Sequence, residues 1–248
     1  MIPDARPAIV VANWRCGGTF LNYCLSSHPE IFCDRGEPMH RQSPWRKAMP
    51  GDPTRLLYCV LTQRHYTVAM CKLTYTQAFA PTVWPFLLEL KPAVISLRRE
   101  NVLRQAVSLI LVKRLNKGQE GGTAIHTQQD VPPAGVALEP DVVLSHARAL
   151  AQADKDARER LERQFPGYLA LTYADVVGGE GTSADRLPTA TARRICAHLS
   201  VPYRAMTANL RRVNAYPLRE IVANWPEVER AVAETELAHL LADEALWT

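Results

Sequence analysis

Long apolar segments and paired cysteines are both missing from this sequence. No run of about 18 apolar residues, the length needed to cross a bilayer, occurs in the chain, so we expect no membrane-spanning helix. The predicted first strand follows Met1 to Asp4 directly, which predicts a cytoplasmic protein without a signal peptide. The cysteines form no CxxC pair, and this distribution is typical of reduced core thiols. They are Cys16, Cys24, Cys33, Cys59, Cys71 and Cys196.

The sequence also lacks a strong excess of charge of one sign, and its histidines lack the spacing of metal ligands. The 29 basic and 25 acidic residues give a net charge of +4. This charge suits a small anionic ligand better than nucleic acid, because a nucleic-acid backbone calls for a denser basic stripe. The histidines show no metal-ligand spacing, so we expect no metal site. The remaining composition, 47% hydrophobic, is that of a globular protein, and we predict one domain over residues 1–248.

The most informative stretch is an apolar run followed by a glycine turn. Residues 8–12 are small or branched and apolar, which predicts a strand buried on both faces. Paired glycines follow at 17–18, and residues 20–25 then have the spacing of an amphipathic helix. A strand, a glycine turn and a helix N-terminus bind anions in this order, because the turn exposes backbone N–H groups and the helix dipole adds positive potential. Arg15 and Thr19 would add a cation and a hydroxyl, so we predict a phosphate or sulfate site.

The rest of the chain alternates between apolar runs and helical patterns. The runs predict strands at 31–33, 68–71, 92–97 and 168–173, and the patterns predict helices at 77–90 (in two pieces), 102–115, 141–165, 188–199 and 226–241. Prolines interrupt residues 41–66, which we predict to be irregular, and residues 116–140 are predicted to form a mobile loop. This alternation predicts an α/β fold with a central, mainly parallel sheet flanked by helices.

Charged side chains follow several of the predicted strands within a few residues. They are Arg15, Glu37, Lys72, Arg98 and Arg99. In a parallel α/β sheet, ligands gather at the carboxyl ends of the strands, where the strand order reverses. We therefore predict one site that is assembled from these strand ends.

The glycine turn lacks the features of a kinase or NTPase loop. A Walker A loop needs G-x-x-x-x-G-K-[ST], whereas no lysine stands between Gly18 and Thr19. The predicted strand that ends near Arg98 also lacks an acidic residue to hold Mg²⁺. A nucleotide-dependent kinase and a non-catalytic nucleotide-binding protein stay as alternatives to the interpretation that follows.

Two motifs resemble the donor-binding motifs of sulfotransferases that use 3′-phosphoadenosine 5′-phosphosulfate (PAPS). Arg15-Cys16-Gly17-Gly18-Thr19, after a buried strand, resembles their 5′-phosphosulfate loop. Residues 98–108 resemble their 3′-phosphate motif, with Arg99 at a strand end and Ser108 nine residues later. An arginine offers a planar fork to a phosphate, and a serine two turns into the helix can reach the same group.

Two further segments are similar to the carbohydrate branch of this family, the bacterial trehalose-type sulfotransferases. Gly36-Glu37-Pro38 matches its G-E-P segment, and Lys72-Leu73 with Gln77 resembles its lysine-leucine segment beside the donor. The resemblance implies a P-loop-like three-layer fold, PAPS as the donor and no metal. It also implies a small-molecule acceptor that offers a hydroxyl group, on a carbohydrate or a sugar-containing metabolite.

The resemblance assigns a role to each matching residue. Glu37 is the expected catalytic base, and Arg15 and Lys72 are expected to stabilise the oxygen that leaves with the nucleotide. The expected donor-binding residues are Arg15, Cys16, Gly17, Gly18, Thr19, Phe20, Arg98, Arg99 and Ser108. Outside the matching segments, we expect Arg211 or Arg212 to close over the donor from the C-terminal part of the chain.

The match departs from the family at two positions. Cys16 stands where a serine is common, and Thr74 stands where the cytosolic branch places a catalytic histidine. A threonine cannot serve as a base near neutral pH, which leaves that task to Glu37. His28 and His40 are rivals for it from the same region of the chain.

Other points stay open at the level of sequence. Arg98 and Arg104 are alternatives to Arg99 as the main 3′-phosphate ligand. Residues 173–177 resemble the family's Y-E-D-L strand end, but Ala174 replaces the acidic residue, so we assign this segment no chemistry. A homodimer is compatible with the sequence. Several arginines hint at an acidic or phosphate-bearing acceptor, namely Arg35, Arg41, Arg46, Arg55 and Arg64.

Overall fold

A computed structural model of the chain describes residues 5–116, 135–178, 185–210 and 217–242. Its strands are β1 (Arg6–Ala12), β2 (Ile31–Cys33), β3 (Val68–Thr74), β4 (Ala93–Arg98) and β5 (Leu169–Thr172). They form a five-stranded sheet in the order β2-β3-β1-β4-β5, and every pair of neighbours is parallel. Because β3 and β4 lie on either side of β1, the carboxyl ends of these three strands adjoin at one edge of the sheet.

Helices connect the strands along the chain. They are α1 (Gly18–Ser26), α2 (Pro44–Ala48), α3 (Pro53–Leu61), α4 (Tyr75–Ala78), α5 (Val83–Leu90), α6 (Val102–Asn116), α7 (Pro140–Gln164), α8 (Tyr173–Val177), α9 (Thr189–Leu199), α10 (Leu218–Ile221) and α11 (Trp225–Ala233), with a short 3-10 helix at Ala238–Leu240. The predicted α/β class with a parallel central sheet is confirmed. No helix in the described ranges is long and apolar enough to cross a membrane.

The chain divides into two compact units. The first comprises Met1–Arg98 and Asp156–Asn209, and it contains the sheet. The second comprises Arg99–Lys155 and Leu210–Thr248, and the elements described in it are helices. Whether the whole chain folds as a single domain stays a prediction.

In the first unit, the sheet is covered on both faces. Ala8, Val10 and Ala12 of β1 point to one face, where they share an apolar cluster with α1 and α9. Ile9 and Val11 point to the other face and are fully buried, and there α3 packs against β1, β3 and α5. Burial on both faces explains why the β1 sequence is apolar throughout rather than alternating.

The second unit has an apolar core of its own, formed mainly by α6, α7, α10 and α11. The side chain of Asn224 accepts a hydrogen bond from the Leu138 N–H at 2.8 Å and donates one to the Leu138 carbonyl at 2.9 Å. Next to it, Val136 and Val222 form a parallel bridge. These contacts attach the segment that leads into α7 to the turn between α10 and α11.

The prediction that residues 41–66 are irregular is wrong, because α2 and α3 lie there. Pro44 and Pro53 do not interrupt helices but occupy their first turns, where a missing N–H costs nothing. The residues before them, Ser43 and Asp52, are N-caps whose side chains accept backbone N–H groups of the first turn. The prolines are therefore helix-start signals at these two positions.

The prediction of one continuous helix over 226–241 is also wrong, because α11 ends at Ala233. The hydroxyl of Thr235 donates to the Val232 carbonyl at 2.8 Å and accepts from the Leu237 N–H at 3.2 Å. Such local side-chain bonds compete with helix continuation. In the predicted loop 116–140, residues 117–134 lie outside the described residues, as do Arg211 and Arg212.

Candidate functional site

The loop that follows β1 is turned by two residues in the left-handed region. Arg15 has a φ of 62° and Gly17 a φ of 87°, and α1 begins at the next residue, Gly18. The buried Cys16 thiol donates a hydrogen bond to the Asn13 carbonyl at 2.8 Å, which closes the loop from the inside. By the geometry of an α-helix, the first N–H groups of α1 have no partner within the helix, so they can bind an anion at its N-terminus.

Close packing explains why both glycines of the loop are needed. A Cβ on Gly17 would lie 3.0 Å from Cδ2 of Tyr173, the first residue of α8. A Cβ on Gly18 would lie 2.8 Å from Cδ of Lys72, near the end of β3. The loop is therefore enclosed by side chains from two other strand ends, and a larger residue at either position would displace one of them.

Lys72 and Glu37 form an ion pair beside this loop. The Lys72 Nζ lies 2.8 Å from Oε1 of Glu37, and the two side chains are 11% and 23% exposed. Lys72 points to the same face of the sheet as α1, so its stem passes Gly18 before the ammonium reaches the carboxylate. The structure thus brings together two of the three predicted catalytic residues, at the edge where the glycine loop lies.

Arg15, the third of them, is half-buried within the loop itself. Burial lowers the pKa of its guanidinium from the usual value, while the neighbouring Tyr173 hydroxyl acts in the opposite direction. The group stays protonated, because an arginine does not lose its proton in a protein. A cation in this position adds to the positive potential of the α1 N-terminus.

Asn22, which the sequence analysis does not single out, holds the turn that carries Glu37. It lies on α1, is fully buried, and donates from Nδ2 to the carbonyls of Asp34 and Gly36, both at 3.2 Å. Burial raises the pKa of the Asp34 carboxyl, while its hydrogen bond from the Gly36 N–H acts in the opposite direction. The helix that starts at the glycine loop is therefore tied directly to the turn that positions the candidate base.

We expect Asn22→Ala to lower the free energy of unfolding by about 1–3 kcal/mol, because two carbonyl groups of the turn lose their donor. Urea unfolding measures this as a lower midpoint at an unchanged slope. Asn209→Ala is the matched control, since Asn209 is exposed and we expect its removal to have little effect. A loss no larger than that of the control would show that these two hydrogen bonds do not stabilise the turn.

Arg98 starts from the same edge of the sheet as the glycine loop. It is the exposed last residue of β4, and its neighbour Leu97 pairs with Ala12 at the end of β1. Arg99 is the next residue in the chain and begins the second unit, where it is 8% exposed.

Within the second unit, one face of α6 is polar although it is buried. Asn101, Arg104, Gln105 and Ser108 follow one another at i, i+3, i+4 and i+7, the spacing of one helix face. None of them is more than 9% exposed. The Asn101 side-chain oxygen accepts the Arg104 N–H at 3.0 Å, so Asn101 is the N-terminal cap of α6. The predicted ligand Ser108 thus belongs to a buried polar stripe, of which the sequence analysis missed Gln105.

Thr74, Gln77 and the two rival histidines have local structural contacts. The Thr74 N–H donates to Oε1 of Gln77 at 2.9 Å, so this pair caps α4. His28 is buried, with Nε2 3.0 Å from the Pro202 carbonyl and Nδ1 accepting the N–H of Glu30. His40 is exposed. Among the described residues, no group of three or more His, Cys, Asp or Glu side chains is placed to hold a metal ion.

The sheet order and the glycine loop at the end of β1 define a P-loop-like, three-layer α/β fold. No family model and no curated protein matches the sequence. A solved structure of a sulfotransferase from Alicyclobacillus acidocaldarius has a TM-score of 0.54 at 16% identity, over 98% of this chain and 96% of that one. The sulfotransferase domain from the curacin biosynthetic pathway gives a TM-score of 0.47 at 16% identity, over 81% of this chain and 75% of that one. The first likeness confirms the predicted fold.

Proposed function

We propose that this protein is a sulfotransferase that moves a sulfuryl group from PAPS to a hydroxyl of a carbohydrate or sugar-containing metabolite. The observation that carries the proposal is the Lys72–Glu37 pair at 2.8 Å, beside a glycine loop whose close contacts include Lys72 itself. This arrangement combines an anion-binding helix N-terminus, a fixed cation and a carboxylate that can take up a proton. The overall likeness to a sulfotransferase structure supports it.

The glycine loop is the proposed site for the 5′-phosphosulfate end of the donor. The backbone N–H groups of residues 17–20, the Arg15 guanidinium and the Thr19 hydroxyl would bind its oxygens. Cys16 contributes here as backbone, since its thiol donates to the Asn13 carbonyl. No metal is needed, because fixed cations balance the charge of the donor.

Arg99 and Ser108 are the proposed ligands of the 3′-phosphate, with Arg98 and Arg104 as further arginines of the same motif. Arg99 follows the last residue of β4, and Ser108 lies on the buried polar stripe of α6. A planar guanidinium suits a phosphate, and its charge-assisted hydrogen bonds are about twice as strong as neutral ones. Closure by Arg211 or Arg212 stays a prediction.

PAPS supplies the sulfuryl group, and transfer breaks the bond between sulfur and the bridging oxygen of the phosphate. Glu37 accepts the proton of the acceptor hydroxyl as its oxygen forms the new bond to sulfur. Negative charge develops on the bridging oxygen, which Arg15, Lys72 and the loop N–H groups stabilise as preorganised donors. When Glu37 takes up the proton its charge is neutralised, which frees the Lys72 ammonium to interact with the leaving oxygen.

We expect adenosine 3′,5′-bisphosphate (PAP), the spent donor, to stabilise the protein more than ADP or inorganic sulfate does. At a concentration about a hundred times its Kd, a ligand adds about 2.7 kcal/mol, which raises Tm by roughly 5–10 °C in a chain of this size. Thermal unfolding with each ligand measures the difference. Stronger stabilisation by ADP with Mg²⁺ than by PAP would favour a nucleotide-dependent kinase and refute the proposal.

The Arg99→Ala variant tests which end of the donor the second motif binds. Removal of a charge-assisted contact should weaken PAP binding by about 1–3 kcal/mol. Binding of adenosine 5′-phosphate, which lacks only the 3′-phosphate, should change little. Lys113→Ala is the control, because Lys113 lies on α6, the helix that carries Ser108, and is exposed. Equal losses of affinity for both nucleotides would show that Arg99 does not bind the 3′-phosphate.

A further inference from the structure

The connection between β2 and β3 contains more basic than acidic residues. Residues 34–67, here called the basic segment, contain six basic residues and three acidic ones. The net charge of this connection is therefore +3. Its basic residues are Arg35, Arg41, Arg46, Lys47, Arg55 and Arg64.

The three acidic residues of the basic segment are committed to other contacts, and that of Asp34 is the hydrogen bond from the Gly36 N–H. Glu37 pairs with Lys72, and the Asp52 carboxylate accepts the first N–H groups of α3. Arg41 and Lys47 are exposed, Arg46 is partly so, and none of the three forms an ion pair with a carboxylate of the described residues. A structural ion-pair network therefore does not account for these three cations.

Consecutive turns attach these cations to the candidate base. The His40 N–H donates to the Glu37 carbonyl at 2.9 Å, and the Ser43 N–H donates to the His40 carbonyl at 2.8 Å. Ser43 then caps α2, which carries Arg46 and Lys47. Each such turn spans less than about 7 Å between its end Cα atoms, which keeps the start of α2 within roughly 14 Å of Glu37. That distance is on the scale of a small acceptor molecule.

We infer that the acceptor carries a negatively charged group, a carboxylate, phosphate or sulfate, in addition to the hydroxyl that receives the sulfuryl group. The cations of the basic segment would bind that group while Glu37 takes the proton from the hydroxyl. This inference rests on the proposed function, since it assigns a substrate class to the same site. Fixed cations beside a reaction centre attract and orient an anionic ligand, and salt weakens that attraction.

The test compares matched probes on the protein loaded with PAP. One pair is nitrophenyl glucuronide and nitrophenyl glucoside, which tests a carboxylate. The other is glucose esterified with phosphate at its primary hydroxyl and glucose itself, which tests a phosphate. By calorimetry, we expect the anionic member of at least one pair to bind about tenfold more tightly at low salt. That preference should largely vanish at about 0.5 M salt, where the Debye length is only about 4 Å.

Two sets of charge reversals locate the effect. Arg46→Glu with Lys47→Glu should abolish the preference without changing PAP affinity, and Arg41→Glu, on the turn before α2, is an independent second variant. Arg163→Glu with Arg204→Glu is the matched control, because both arginines are exposed elsewhere in the first unit. The control should keep the preference in full.

The outcomes separate the inference from the proposed function. If PAP binds and PAPS is turned over but neither pair shows a preference, the inference is wrong and the proposed function stands. A preference that survives both sets of reversals in the basic segment also contradicts the inference. If PAP does not bind at all, the proposed function fails and the inference fails with it.

Discussion

The Glu37→Gln variant is expected to lose about 10²–10⁴-fold in kcat, because an amide of the same size cannot accept the proton of the acceptor hydroxyl. Binding of PAP should be unchanged, since the glycine loop and Lys72 are left intact. The glutamine oxygen can still accept a hydrogen bond from Lys72, so the fold around the turn should be preserved. Turnover is measured as PAP release from PAPS with the better of the two nitrophenyl glycosides as acceptor.

Glu89→Gln is the control for this variant. Glu89 is an exposed residue of α5 in the same unit, and its neutralisation changes the net charge by the same amount. It should retain full turnover. Normal turnover by Glu37→Gln, with PAP affinity retained, would remove Glu37 from the role of base. PAP binding without any turnover by the unmodified chain would instead favour a non-catalytic nucleotide-binding protein.

The Arg15→Gly variant is expected to separate stability from activity. Arg15 holds a φ of 62°, a conformation that costs a residue with a side chain about 1 kcal/mol relative to glycine. Relief of this strain should offset the contacts that the side chain loses, so the free energy of unfolding should change by less than about 1 kcal/mol. Loss of the guanidinium at the leaving oxygen should lower kcat by about 10²–10³-fold.

Lys91→Gly provides the matched comparison for Arg15→Gly. Lys91 has a φ of 50° at the C-terminal cap of α5 and is exposed, so the same strain is relieved away from the site. It should gain about 0.5–1 kcal/mol of stability and keep its turnover. Equal turnover in the two variants would show that the guanidinium at position 15 has no part in the reaction.

Much of the fold could be predicted from local sequence patterns. Apolar runs locate all five strands. The signal is clearest in β1, because residues 8–12 are buried on both faces of the sheet and contain no polar residue. The helices that begin at Pro44 and Pro53 were not predicted, because proline was taken as a helix breaker. A proline in the middle of a helix interrupts it, whereas a proline in the first turn is favourable. The capping residue before each proline, Ser43 or Asp52, distinguishes a helix start from a loop at these two positions.

The candidate site also contains residues that the sequence predicts and residues that it does not. The glycine turn, Arg15, Glu37 and Lys72 were each predicted from their places after apolar runs. Asn22 was missed, because a polar residue in an amphipathic helix pattern indicates an exposed position, whereas here it is buried under the turn that carries Glu37. The packing of Tyr173 on Gly17 was missed because these residues come from opposite ends of the first unit's sequence.

By itself, the sequence determined the order of the strands along the chain, the glycine turn at the end of β1 and the excess of positive charge between β2 and β3. These features depend on the periodicity of apolar residues, on local backbone conformation and on composition, which are all properties of residues that are close together in the chain. Only the tertiary structure decided that Lys72 pairs with Glu37, that Tyr173 packs on Gly17 and that Asn22 holds the turn at Gly36. Those contacts join residues that are distant in the chain, and they exist only because a parallel sheet brings the carboxyl ends of its strands to one edge.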